Sequence, residues 1–369
     1  MNENLVTLVT LPYSKAHILK MRLEAKEIKC ELEDVHLIEG STTSTIRIKI
    51  LEKDIKPALA ELDFLLGLKS DAKKEIKEEP VRQVLVPIDF SNVSEKSALL
   101  AFNIASHINA ELVIMHSFIS PAKFIIPYGD IYPYDSSLLM QSHEAEKSAQ
   151  TNFKEFVGKL VQHIGKDKWD AIKTEFIIKP GFADEDILGY ARDQQPKLIV
   201  IGRGGDKSWS GTVGSITADI MYNAPVPVLI VPEEMEEKPL TEFKEFLYAT
   251  NFDTKDFAAL DKLMDILLPF DIQLTCAHVG GPDEDSWDLA RLEGMKDVLQ
   301  KKYESKKFDC KLIMGSDVLE TLDSYLEHEN VDVLALTTHK RGMISRLFNP
   351  SLARKMVFHT NTPLLVFHA

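Results

Sequence analysis

Cysteine is scarce in this sequence. Only three cysteines occur among its 369 residues, Cys30, Cys276 and Cys310, and none belongs to a CxxC pair. Such a count argues against a disulfide framework or a zinc site, and it predicts buried thiols in a reducing compartment. No apolar run reaches the about 18 residues that a membrane span needs, and the first residues lack the basic region of a signal peptide. These absences predict a cytoplasmic protein that does not enter a membrane.

Basic residues are also in the minority. The chain has 43 Lys and Arg residues against 57 Asp and Glu residues, for a formal net charge of -14. This acidity, without a long Lys/Arg run, predicts repulsion of phosphate backbones and therefore no nucleic-acid partner. The 44% hydrophobic and 27% charged residues are typical of globular proteins.

Two charged stretches with little apolar character divide the sequence, at residues 68–83 and 233–243. Both are interpreted as linkers. They predict three segments: residues 1–67, residues 84–232 and residues 244–369. The first has the pattern strand, helix, strand, strand, helix, which predicts a small α+β domain. In the second, apolar strands alternate with helices, which predicts an open parallel sheet with helices on both faces.

The third segment repeats the second. An offset of 162 residues aligns VLVPIDFS with FLYATNFD, so that Asn251 falls on Asp89, and the same offset aligns His116 with His278. Near the end, LIVIG aligns with VLALT, and PVLIVP aligns with PLLVFH. The sequence therefore predicts two tandem domains of one α/β fold.

A glycine-rich stretch, IGRGGDKSWSGTVGSITADI, runs from Ile201 to Ile220 between a strand and a helix of the second segment. Its glycines allow backbone amides to approach an anion at the start of the helix. It is neither a Walker A sequence nor GxGxxG, and a flexible loop with turn glycines is an equal alternative. Asp89 ends the first strand at the same sheet edge, but it also suits a turn or a helix N-cap.

Together, VLVPIDFS, VIMHSF and the glycine-rich stretch resemble the universal stress protein family over residues 84–232. The family pattern is Gly, two residues, Gly, nine residues, Gly and then Ser or Thr. Here only eight residues separate Gly205 from Gly214. The resemblance implies binding of ATP, or of AMP or ADP, with Mg²⁺ as an accompanying ion. It carries nucleotide-binding roles over to Asp89, Ser117, Gly202, Gly205, Gly214, Ser215 and Ile216. Arg203 is a further candidate, because its positive charge could neutralise a phosphate.

The third segment departs from that pattern. Thr337 and Lys340 replace the first two glycines, Pro350 replaces the third, and Asn251 replaces the aspartate. The side chains of Thr337 and Lys340 would crowd a phosphate, and Pro350 has no N–H to donate to one. The third segment is therefore predicted to be a degenerate domain that does not bind ATP in the family manner. The resemblance implies that the closing strands PVLIVP and PLLVFH pair, which gives an internal pseudo-dimer. The first segment resembles a family of prokaryotic signal-transducing proteins.

Three functions remain open from the sequence. The first is a stress-response regulator that binds an adenine nucleotide and an unknown protein partner, alone or as a homodimer. The second is an interaction or scaffold protein of the same fold without nucleotide. The third is a slow ATPase, for which no acid, base and nucleophile occur at a recognisable spacing. No catalytic residue and no metal ligand of the protein are predicted.

Overall fold

The computed structural model describes residues 5–35, 45–65, 82–120, 136–204, 215–236, 242–252, 255–281, 285–338 and 360–368. The chain forms two compact units. The first combines residues 1–78 with residues 244–331, and the second combines residues 79–243 with residues 332–368. Each unit is therefore built from two separate stretches of chain.

The regular elements of the described ranges are numbered along the chain. Residues 5–65 contain β1 (Leu5–Pro12), α1 (Tyr13–Ala25), β2 (Cys30–Val35), β3 (Thr45–Leu51) and α2 (Ile55–Leu65). Residues 82–231 contain β4 (Gln83–Pro87), α3 (Asn92–His107), β5 (Glu111–Phe118), α4 (Ser136–Ile164), α5 (Lys166–Trp169), β6 (Thr174–Pro180), α6 (Ala183–Gln194), β7 (Leu198–Gly202), α7 (Ser215–Asn223) and β8 (Val228–Val231). Residues 245–368 contain β9 (Glu245–Ala249), α8 (Asp256–Leu267), β10 (Gln273–Gly280), α9 (Asp285–Lys302), β11 (Lys307–Met314), α10 (Val318–His328), β12 (Val333–Thr338) and β13 (Leu364–His368).

In the first unit, helix α1 packs on two surfaces. One is the antiparallel sheet of order β1-β3-β2, and the other is formed by α8 and α9, which follow the parallel strands β9 and β10. Ile18, Leu19 and Leu23 of α1 are buried. A Cβ on Gly294 of α9 would lie 2.1 Å from Ile18 Cδ1, so the glycine lets the Ile18 side chain pack directly against the backbone of α9. The N-terminal segment thus shares a core with residues 244–331.

In the second unit, the strands lie in the order β12-β13-β8-β7-β4-β5-β6. Neighbouring strands are parallel except β13 and β8, which pair antiparallel with Leu365 opposite Leu229. The strands that close the second and third segments are thus neighbours, as expected. The central strands β4 and β7 are almost completely buried and read as unbroken apolar runs, because helices cover both faces.

The start of the second expected linker is held against the second unit. Lys96 Nζ of α3 donates hydrogen bonds to the carbonyl oxygens of Glu233 and Met235, at 2.7 and 2.8 Å. The backbone of residues 233–235 is therefore attached to α3, although the Glu234 side chain is exposed. The remainder of that stretch, residues 237–241, and most of the expected first linker lie outside the described residues. No helix within the described ranges is both long enough and apolar enough to cross a bilayer.

Candidate functional site

The strand order creates a topological switch point between β4 and β7. From β4 the chain proceeds to β5 and β6 on one side, and then returns through α6 to β7 and β8 on the other side. Ligands of open parallel sheets bind beyond the carboxyl ends of the strands at such a point. Asp89 follows β4, and Gly202 ends β7. The aspartate and the start of the glycine-rich stretch therefore meet at one edge of the sheet.

A pocket of about 400 Å³ lies at this edge. Its walls are mostly apolar and come from β4, β7, α3 and α6, through Pro87, Ile88, Val93, Ala183, Ile187 and Ile201. A few polar groups converge on it, from Asp89, Ser94, Gly202, Gly204, Ser215 and Thr217, and Ile216 completes the lining. This size and this mixture are typical of small-molecule sites. Four of the predicted binding residues line the pocket: Asp89, Gly202, Ser215 and Ile216.

Asp89 is held in place through one of its two carboxylate oxygens. Oδ1 accepts hydrogen bonds from Ser91 N at 3.0 Å, Ser91 Oγ at 2.5 Å and Ser94 Oγ at 2.5 Å. Within the described residues, Oδ2 accepts no hydrogen bond and lies 4.0 Å from the Cβ position of Gly204. Ser91 is the N-cap of α3, since its Oγ accepts from Ser94 N. The cap is not Asp89, so the carboxylate remains available to a ligand.

These hydrogen bonds keep the carboxylate charged. Burial acts to raise the pKa of Asp89, but hydrogen bonds from Ser91 and Ser94 outweigh it, and the pKa lies below the usual aspartate value. Because the pKa of Asp89 is lower in the folded than in the unfolded chain, Asp89 stabilises the fold at pH values above its pKa in the unfolded chain. That contribution is lost as the pH falls through the folded value. At neutral pH the pocket therefore holds one negative charge that can accept hydrogen bonds.

Removing the Ser94 hydroxyl tests this account. We expect Ser94→Ala to raise the pKa of Asp89, because Oδ1 loses one of its hydrogen bonds while the buried surroundings remain. Carboxyl chemical shifts followed by NMR through an acid titration measure the change. Ser106→Ala, at an exposed position of the same helix, is the control and should leave the titration of Asp89 where it was.

The end of β7 and the start of α7 are joined tightly. A Cβ on Gly202 would lie 2.9 Å from both Val93 methyl groups, so the strand can meet α3 only without a side chain at this position. Thr217 Oγ1 donates a 2.9 Å hydrogen bond to Gly202 O, which ties the first turn of α7 to the strand. The first turn of α7, with its free N–H groups and positive dipole end, is thereby positioned at the pocket.

Gly204 lines the pocket although the sequence assigned it no binding role. Among the described residues, only Asp89 Oδ2 lies within 4 Å of the position that a Cβ on Gly204 would take, at 4.0 Å, so a side chain here would project toward the pocket. The proximity of Gly204 to Asp89 cannot be seen from local sequence, because the two residues follow different strands, β7 and β4.

Two other predicted residues do not line the pocket. Arg203 forms an ion pair with Glu234 and donates a 2.9 Å hydrogen bond to Thr360 O, so its guanidinium binds the turns that flank β8 and β13 and does not line the pocket. Ser117, on β5, is not a lining residue either, and its buried Oγ has no hydrogen-bond partner in the described structure. Gly205 and Gly214 lie outside the described residues.

A local arrangement recurs at the carboxyl ends of the first two strands of each α/β segment. His116 Nδ1 lies 2.9 Å from Ile88 O, its ring is 4.2 Å from that of Phe90, and Phe90 has a φ of 67°. At the 162-residue offset, His278 Nδ1 lies 2.8 Å from Thr250 O, and Phe252 is 4.5 Å from the His278 ring with a φ of 62°. The two segments thus form the same strand-end geometry.

In the third segment, the start of the helix that follows β9 forms a buried hydrogen-bonded network. Asp256 takes the place of Ser94 at the start of the helix, and it is 2% exposed. Its carboxylate accepts hydrogen bonds from Tyr248 Oη at 2.8 Å and Thr250 Oγ1 at 2.5 Å. His278 and Asp288 are also buried, with 3.7 Å between Nε2 and Oδ2. Thr337 is a buried residue of β12, whereas Lys340, Pro350 and Ser351 lie outside the described residues.

The cysteines differ from expectation. Cys276 is buried, but Cys30 and Cys310 are only half-buried. Cys276 and Cys310 are also directly opposite each other on β10 and β11, although 34 residues separate them in sequence. Spacing along the chain could not reveal this pair, because parallel strands join residues that a whole helix separates. Among the described residues, no group of three or more His, Cys, Asp or Glu side chains is placed to hold a metal ion.

The chain is similar to several known structures. A universal stress protein from Archaeoglobus fulgidus DSM 4304 has a TM-score of 0.56 at 16% identity, covering 78% of this chain and 98% of that one. UspA from Lactobacillus plantarum is 22% identical with a TM-score of 0.34, covering 42% of this chain and 99% of its own. A universal stress protein in complex with cAMP is 20% identical with a TM-score of 0.27, covering 42% and 99%. No curated protein matches the chain in sequence.

At these identities the likeness to the Archaeoglobus protein supports the α/β fold alone. The sequence of residues 80–232 matches the Universal stress protein family. This range contains β4 to β8 and every residue that lines the pocket. Residues 80–232 are therefore a universal stress protein domain.

Proposed function

We propose that residues 84–232 bind an adenine nucleotide, ATP, ADP or AMP, in the pocket between β4 and β7, and that the chain is a cytoplasmic regulator of the stress response. One observation carries the proposal. The Oδ2 atom of Asp89 and the bare backbone of Gly204 face each other across a mostly apolar pocket at the switch point of a parallel sheet. Apolar walls suit a purine ring, and an available carboxylate oxygen suits ribose hydroxyls or an adenine amino group.

The phosphates would lie toward α7. The first turn of α7 has no acidic residue that would repel a phosphate. Ser215 and Ile216 of that turn line the pocket, so its free N–H groups lie close to it. Gly202, Gly205 and Gly214 would let further amides approach the phosphates, while Ser117 would contribute its backbone near the adenine. Arg203 takes no part as long as it pairs with Glu234. Asp89 is the only charged side chain among the described lining residues, so the protein alone would hold Mg²⁺ weakly. Mg²⁺ would therefore enter together with the phosphates of ATP.

Binding, not turnover, is the expected activity. Asp89 is the only ionisable side chain among the described residues that line the pocket, and its lowered pKa makes it a poor proton donor and a weak base. No lining side chain in the described part of the pocket is thus suited to activate water. We name no catalytic residue for ATP hydrolysis.

We further propose that residues 244–369 are a degenerate tandem copy, and that the two copies form an internal pseudo-dimer. The recurring histidine and phenylalanine geometry and the antiparallel β8–β13 pair support this proposal. Because Asn251 replaces Asp89 and the buried carboxylate of Asp256 replaces the Ser94 hydroxyl, the copy is expected to bind no nucleotide. Its role would be to pack and to present a surface to a protein partner.

Calorimetric titration of ATP, ADP, AMP and cAMP into nucleotide-stripped protein tests the proposed function. We expect Asp89→Asn to weaken binding ~10- to 100-fold, the equivalent of losing about 1.5–3 kcal/mol from a hydrogen bond to a charged group. The change preserves shape and retains an acceptor for Ser91 and Ser94, so the fold should persist.

Asp193→Asn is the matched control, because this aspartate is exposed on α6 and does not line the pocket. It should bind nucleotide like the unchanged protein. If the unchanged protein binds none of the four nucleotides, the scaffold function is favoured. If Asp89→Asn binds as tightly as the control, the nucleotide does not occupy this pocket.

A further inference from the structure

Two of the three cysteines form a pair within the first unit. Cys276 of β10 and Cys310 of β11 are register partners in parallel strands, and both are free thiols. Register partners on adjacent strands project from the same face of a sheet. Adjacent strands lie about 4.7–4.9 Å apart, which falls within the about 4.4–6.8 Å between Cα atoms that a disulfide can bridge. The backbone therefore already holds the two thiols at a spacing compatible with a covalent link.

The two thiols have different surroundings. Cys276 is completely buried, and a hydrogen bond with Cys310, together with burial, raises its pKa well above the usual value. Cys310 is half-buried on β11, which is the last strand of its sheet. Because Cys310 is the more exposed of the two, it is the thiol that meets an oxidant first.

We propose that Cys276 and Cys310 are an oxidation site, at which a hydroperoxide converts the two thiols into an intramolecular disulfide. The Cys310 thiolate attacks the peroxide, an S–O bond forms, the O–O bond breaks, and hydroxide or alkoxide leaves and takes up a proton. Cys276 then loses its proton and attacks the sulfenic sulfur, so that an S–S bond forms, the S–O bond breaks and water leaves. Two thiols lose two electrons, and the peroxide is reduced. A dithiol reductant restores both thiols.

Cys30 provides an internal control. It lies on β2 opposite Ile50 of β3. Its pKa is raised to about 11, mainly by burial and also by Glu24, which keeps it protonated at neutral pH. It therefore has neither a partner thiol across the strand nor the thiolate that reacts with peroxide. Oxidation is expected to consume the other two cysteines and leave Cys30 as a thiol.

The experiment treats the whole chain with hydrogen peroxide and analyses the monomer band of a non-reducing gel. We expect denatured thiol titration to fall from three thiols to one per chain, and to return to three with dithiothreitol. Tryptic digestion should yield Leu263–Arg291 linked to Phe308–Lys311, with a mass two hydrogen atoms below the sum of the free peptides. Cys30→Ser should preserve the linked peptide, and Cys276→Ala and Cys310→Ser should each abolish it.

The linked peptide in the unchanged chain is decisive even if the Cys276 variant does not fold. Retention of all three thiols would overturn the proposal. So would conversion of Cys310 to sulfinic acid without the linked peptide, because the buried thiol would then be unable to reach the sulfenic sulfur. A linked peptide found only in a dimer band would also overturn it.

Discussion

Gly204→Val is expected to weaken nucleotide binding by about 100-fold, or about 2.7 kcal/mol. The valine Cβ would lie 4.0 Å from Asp89 Oδ2, and its two methyl groups would occupy the space in which a ligand must meet the carboxylate. The change should cost little stability. The backbone of Gly204 is outside the left-handed region, and no other heavy atom of the described residues lies within 4 Å of the Cβ position. Calorimetry measures the affinity, and thermal unfolding measures the stability.

Gly158→Val is the control for this substitution. Gly158 is exposed on α4, no heavy atom lies within 4 Å of its Cβ position, and it does not line the pocket. It should bind nucleotide normally. A folded Gly204→Val protein with unchanged affinity would mean that the ligand lies elsewhere, whereas loss of affinity in both variants would indicate a general effect of replacing glycine.

Asp256→Ala is expected to lower the free energy of unfolding of the first unit by about 3 kcal/mol, because it removes two short hydrogen bonds to a fully buried carboxylate. Thr250 and Tyr248 would then have buried hydroxyls without this acceptor. Peptide-resolved hydrogen exchange is the appropriate measurement, since two units need not unfold together. Protection should fall in peptides that span β9, α8 and β10, and remain in β4 and β5.

Asp271→Ala provides the matched control, because that side chain is 92% exposed and pairs only across the surface with Lys244. Its expected effect is within about 0.5 kcal/mol. Thr250→Val removes one hydroxyl at nearly constant shape and should have an intermediate effect. Unchanged protection in Asp256→Ala would show that the buried network does not stabilise this region.

Local patterns predicted much of the second unit. Apolar runs such as LIVIG, flanked by helical patterns, predict buried strands, and Asp89 and Gly202 stand at the ends of two such runs. Since parallel strands end at one edge, both residues had to approach the same crevice. The side chain of Arg203 was less predictable. Its partners, Glu234 and Thr360, come from distant turns whose position depends on the β8–β13 pair.

The first unit was harder to predict. Helices α1 and α9 have apolar residues on two faces because each packs on a sheet and on the other helix, so neither has the single apolar stripe that identifies a partner. Gly294 marks their contact, but a glycine within a helical pattern has several explanations. Similarly, the pairing of Cys276 with Cys310 depends on a register that only the folded sheet defines.

The position of β13 has a consequence for biosynthesis. A ribosome releases β8, Val228–Val231, long before Leu364–His368, yet β13 lies between β8 and β12. During that interval β8 has unpaired backbone groups along one side, and such edges promote association with other chains. The loop that must close spans more than 130 residues, which slows the search for the partner strand. Nascent chains therefore pass through a stage in which the exposed edge of β8 is a binding site for chaperones.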